Sequence, residues 1–146
     1  MGVLIDNRQK RHKLSLATIR KKAQAVLNAL DNPDAELSVV IVDDSEITDL
    51  NQKFLNRPGP TNVIAFPMRE GAFAGISPQL LGDVLISIDT AQREGELSGI
   101  STAERLDQLL IHGILHLLDY DHETNDDDAQ RMEEKSAGLL KLIECI

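Results

Sequence analysis

Three of the four histidines fall within eleven residues, in the run HGILHLLDYDH at 112–122. The spacing constrains the fold. On a helix, His112 and His116 stand one turn apart and project from the same side. Two helical imidazoles at that spacing can grip one zinc ion. His122 follows six residues later and lies beyond the helix unless the chain turns sharply. Asp119-Tyr120-Asp121 can supply that turn, because Asp tolerates the left-handed conformation better than most residues. Three neutral nitrogens leave a fourth position for water, the layout of a catalytic zinc site with one ion per chain. A structural site would want a fourth protein ligand, and Cys145 is far away at the C-terminus. A histidine pair alone is common on ordinary amphipathic helices; the third residue behind a turn favours metal. His12, isolated in a basic segment, is given no role.

Offsets of 0, 4 and 10 are also those of the metzincin zinc peptidases. Here the residue after the first histidine is Gly113, so the carboxylate that serves those enzymes as general base is absent. Asp119 stands where they carry the turn glycine. Ester hydrolysis survives this comparison, while the peptidase mechanism weakens.

A length of 146 residues predicts one domain, spanning 1–146, able to bury a single core without staples. Charged residues make up 27% and hydrophobic residues 42%, as in a folded globular protein. The charge is unevenly spread. Residues 1–30 carry seven basic residues and one acid, net +6, against net −15 over the remaining 116 and −9 overall. A basic N-terminal segment therefore faces an anionic partner or packs against the protein's own acidic body. No apolar run reaches the ~20 residues of a membrane span, and the start MGVLIDNRQKRHK has no apolar signal region. With one cysteine and no signal, a reducing cytoplasm is the expected location. Three Phe and one Tyr are too few for a base-stacking platform.

Strands and helices mix without strict βαβ regularity, which predicts an α+β architecture with several helices. Strands are expected near 2–5, at 36–42 (ELSVVIV, branched on both faces and so internal), at 62–66 and at 83–88. Ser15 caps a helix to about Leu30, with Arg20, Lys21 and Lys22 on its solvated side. Asp43 to Ser45 cap a helix on which Ile47, Leu50 and Phe54 mark one face. Asp89 or Thr90 opens a short helix ending near Gly99. Ser101 to Glu104 form a capping box for the histidine helix, with Leu106, Leu109, Leu110, Gly113 and Leu117 inward. The acidic run Asp126-Asp127-Asp128 suits the N-terminus of a last helix.

HGILHLLDYDH resembles HGxLHLxGYDH, the signature of the YbeY-type rRNA maturation factors, bacterial zinc-dependent single-strand endoribonucleases. LNQKFLNRPGPTNVIAFP at 50–67 is similar to that family's LNxxYRxxDxPTDVLSFP, and GDVLISIDTA at 82–91 to its GDIxIS strand. The resemblance runs in order over about 40–146. It implies an α+β fold, a small mixed sheet packed with several helices, with the zinc site on one helix and its following turn. It also implies a zinc-dependent endoribonuclease acting on single-stranded rRNA of the small ribosomal subunit, in 16S 3′-end maturation and ribosome quality control. No membrane or DNA partner is expected. Departures bear on catalysis more than on metal binding. Asp119 replaces the turn glycine, and Thr61-Asn62 replaces the Thr-Asp pair. Leu55 stands where the family has an arginine expected to meet phosphate, a role closed to an apolar side chain. Arg57 is the candidate substitute from the adjacent loop, set against its reading as a solvated loop residue. Asp119 and Asp121 can orient a ligand imidazole or cap the turn. A ribosome-associated assembly factor with a structural zinc is the rival implied by Leu55; a zinc peptidase is a weaker one.

Overall fold

The computed structural model describes residues 2–67, 80–118 and 126–146. Among them nine elements follow in chain order: β1 (Val3–Asn7), α1 (Leu16–Ala29), β2 (Glu36–Val42), α2 (Asp44–Leu55), β3 (Val63–Pro67), β4 (Leu80–Ser87), α3 (Ile88–Ser98), α4 (Thr102–Leu117) and α5 (Asp126–Ile143). The strands form one mixed sheet in the order β1-β2-β4-β3. β1, β2 and β4 run parallel, and β3 closes the far edge antiparallel to β4. β2 is internal, as its two-faced apolar composition predicts, and β1 is an edge.

Alternation along the strands sorts the two faces. Leu37, Val39 and Ile41 of β2, with Val84 and Ile86 of β4, are buried beneath α1, α4 and α5 in the main core. The opposite face holds a smaller cluster of Val42, Ile64 and Leu85 under Ile47 of α2. Leu50 and Phe66 are half-buried against that cluster. Phe54, at the outer end of the same helical face, is 55% exposed and meets Phe66 edge-on, ring centroids 5.5 Å apart.

Side-chain caps fix the helix starts. Ser15, Asp43 and Ser101 each accept a hydrogen bond from the backbone N–H three residues on. The strand expected at 83–88 and the helix after it differ from expectation. The strand begins at Leu80 and ends at Ser87, and Ser87, not Asp89 or Thr90, caps α3 through Thr90 N. Ile88 is fully buried, so its side chain suits a first helical turn as well as a strand end. Gly82 has φ +145°, and a Cβ there would stand 2.2 Å from the Phe66 carbonyl oxygen, which accounts for the glycine of GDVLIS.

The basic N-terminal segment packs against the acidic body for much of its length. Arg8 pairs with Glu46 at 2.8 Å, Arg11 with Asp89 at 3.7 Å, and Lys22 with Asp107 at 2.8 Å. His12, which the sequence left idle, places Nε2 3.3 Å from Oδ1 of Asp89. Lys22 is therefore not a solvated residue. Its side chain is 12% exposed, because it crosses from α1 to the carboxylate of α4. Arg20 and Lys21 are exposed, as expected.

Candidate metal site and its cleft

α4 carries the site. From Leu109 to Leu117 it is buried on the sheet, and only His112 and His116 are partly exposed in that stretch. They lie on the outer side of the helix, as four-residue spacing requires. Their Nε2 atoms converge to 2.9 Å, with ring centroids 4.4 Å apart and planes at 75°. Two nitrogens each ~2.05 Å from one tetrahedral ion stand about 3.3 Å apart. The observed convergence thus fits a shared ion after a small opening of the pair. Among the described residues no third His, Cys, Asp or Glu joins them; His122, with Asp119 and Asp121, lies outside the described residues.

Gly113 explains why the helix can sit so close. A Cβ there would stand 2.6 Å from Cγ1 of Val84 and 3.4 Å from Cγ2 of Val63. The position after the first histidine points into the sheet, so a peptidase-type carboxylate has no room to enter the site from it.

Beside His112 opens a cleft of about 620 Å³ between α4 and α5. Asn62, Arg105, Gln108 and His112 line one side, and Glu133 and Ser136 of α5 the other. Arg105 is fixed on its wall: Nε and Nη2 lie 3.0 and 2.9 Å from Glu94 Oε1, and Nη1 donates to Gln108 Oε1 at 2.7 Å. Asn62 donates through Nδ2 to both oxygens of Glu94, at 3.2 and 3.3 Å. An aspartate at 62 would confront Glu94 with a like charge, so Thr-Asn in place of Thr-Asp is consistent with its neighbour. Arg57 is exposed and is not among the described residues that line this cleft. Leu55 is likewise exposed at the end of α2.

Sequence reasoning missed Arg105 and Gln108. A signal existed: positions 105, 108, 112 and 116 are spaced by three, four and four, which is one stripe of a helix.

A second polar cluster joins the N-termini of α2 and α3. The Asp44 carboxylate accepts from Ser87 Oγ and Thr90 Oγ1, both at 2.6 Å, and from Arg93. Burial pushes this carboxyl up, but those donors together outweigh burial and hold it below the usual carboxylate range. Burial raises Asp83 and Asp107 instead, against hydrogen bonds from Ser38 and Lys22 respectively.

Fold and site together define an α+β protein with a helix-borne histidine pair beside a cleft of mixed polar and apolar lining. Comparison with known proteins supplies its family. The family model described as Endoribonuclease YbeY matches residues 4–144. Endoribonuclease YbeY of Syntrophotalea carbinolica is 50% identical over 145 residues, covering 98% of this chain and 97% of that one. The protein of the same name from Geobacter metallireducens is 48% identical over 145 residues, covering 99% and 97%. The solution structure of a Thermotoga maritima protein superposes with a TM-score of 0.72 at 27% identity, covering 97% of this chain and 88% of that one. This chain belongs to the endoribonuclease YbeY family.

Proposed function

We propose that the chain is a zinc-dependent endoribonuclease that cuts single-stranded rRNA of the small ribosomal subunit in the cytoplasm, in 16S 3′-end maturation and ribosome quality control. The observation that carries this reading is the convergence of His112 and His116 on one face of α4, with His112 on the wall of the adjoining cleft. Family membership and the absence, among the described residues, of any helix long and apolar enough to cross a membrane are consistent with it.

His112, His116 and His122 are the residues to hold the ion, one per chain. A zinc ion so held supplies Lewis acidity and a nucleophile at neutral pH. The chain's own residues do the rest. α4, pinned to β4 at Gly113, keeps the two imidazoles on its outer side, with His112 on the wall of the cleft. Asn62 and Gln108 offer amide groups along its wall.

Leu55 favours a second reading, an assembly factor with structural zinc, because its exposed apolar side chain cannot meet phosphate. One comparison separates the two. Purified wild type should retain zinc and cut a single-stranded 16S 3′-end fragment, and His116→Ala should lose both. Cleavage that persists in a zinc-free His116→Ala protein overturns the enzymatic reading. Zinc retention and co-sedimentation with small subunits without turnover support the second.

A further inference from the structure

The stripe that carries His112 and His116 continues two turns back to Arg105, and we propose that Arg105 binds a backbone phosphate of the RNA strand in the cleft, with Glu94 as its positioning residue. This inference rests on the endoribonuclease reading. Arg105 is the one cationic side chain among the described residues lining the cleft. Its side chain is 26% exposed and held from behind by a carboxylate that also takes the Asn62 amide. Among the described residues, Glu94 and Gln108 engage three of the five N–H donors of the guanidinium. Two donors remain for a ligand, in the planar fork that matches the oxygens of a phosphate.

The geometry separates this contact from the reacting centre. Seven helical residues span about 10 Å, so Arg105 addresses a different phosphate from the one beside the histidines. A contact made equally in ground and transition states acts on KM and leaves kcat alone. Glu133 across the groove lowers the local potential for an anion, which makes the paired, forked donors of Arg105 the feature that admits a strand.

The alternative is a purely structural ion pair tying α3 to α4, and a set of variants tells them apart. Steady-state cleavage of a short fluorescein-labelled single-stranded RNA oligonucleotide is followed across a sodium chloride series, with zinc content and melting temperature recorded for each protein. Arg105→Gln should raise KM about tenfold, leave kcat within about twofold, and flatten the dependence of log kcat/KM on log salt by about 0.7, the share of one phosphate contact. Arg105→Lys should restore the salt slope while recovering only part of KM. The double variant Arg105→Gln/Glu94→Gln keeps the net charge of the molecule and the hydrogen-bonding capacity of the pair. It should show the same raised KM and flattened slope, and it carries the test if Arg105→Gln is unstable. Glu94→Gln alone should keep the wild-type slope. Melting temperatures that fall for Arg105→Gln and Glu94→Gln while KM and slope stay at wild-type values overturn the proposal and leave a structural pair. A fall confined to kcat overturns it as well. A wild-type protein that neither binds nor cuts the oligonucleotide overturns the endoribonuclease reading itself, and this inference with it.

Discussion

A Cβ placed on Gly113 of α4 would lie 2.6 Å from Cγ1 of Val84 on β4. The helix that presents both histidines is thus seated on the sheet at the residue between them, and the side chain it lacks sets how close it comes. Val84 is fully buried and has no flexible end to move aside. Gly113→Ala should therefore overpack the core, at a cost of about 1–3 kcal/mol. It should also weaken zinc retention by shifting His112 and His116 together. Thermal unfolding with metal analysis checks both; an unshifted melting temperature would show that the helix seat is loose.

Lys22 and Asp107 form a pair whose side chains are only 12% and 10% exposed. Removing one partner strands a charge in the core, so Lys22→Met should destabilise the fold by about 3–5 kcal/mol. The neighbouring exposed double variant Arg20→Ser/Lys21→Ser should stay within about 0.5 kcal/mol of wild type. Urea unfolding of the two proteins makes the comparison.

Asp44 ties the starts of α2 and α3 together, and its carboxyl is held below the usual range. The folded state therefore binds its proton more weakly than the unfolded chain does. Its stabilisation is present above the ordinary value of 3.8 and is lost as pH falls through the lowered folded value. Asp44→Ala, which removes the acceptor of the Ser87 and Thr90 O–H donors, should cost about 2 kcal/mol at neutral pH. The gap to wild type should narrow in acid. A gap independent of pH would contradict the assignment.

Asp83 has the opposite sign. Burial on the sheet raises its carboxyl despite the Ser38 hydrogen bond, so the folded state holds the proton more tightly than the unfolded chain. Its favourable contribution belongs to acid and is lost as pH rises from 3.8 through the raised folded value. Asp83→Asn should gain in melting temperature relative to wild type over that rise, which a series of melts across pH reads directly.

Much of this organisation is legible in the sequence where one local signal dominates. The internal place of β2, the caps at Ser15, Asp43 and Ser101, and the histidine face of α4 each follow from local composition, from periodicity or from a single side chain bonding its own backbone. Features that depend on two distant segments are not legible in this way. Ser87 rather than Asp89 caps α3 because Asp89 is drawn to the Asp44 backbone N–H and to His12. Lys22 sits on the polar side of α1 by periodicity, yet Asp107 waits there, 85 residues on. Arg105 stood on the histidine stripe all along, but its partner Glu94 belongs to another helix. The third expected ligand, His122, falls outside the described residues.

In the proposed enzyme, RNA cleavage depends on a zinc ion held by His112, His116 and His122. A single time course tests it most directly: cleavage of a single-stranded 16S 3′-end fragment by the purified protein, after removal of bound metal by chelation, and after one equivalent of zinc is returned. Cleavage, its loss, and its recovery are expected in turn. Cleavage that continues undiminished in protein shown to be free of metal would contradict it.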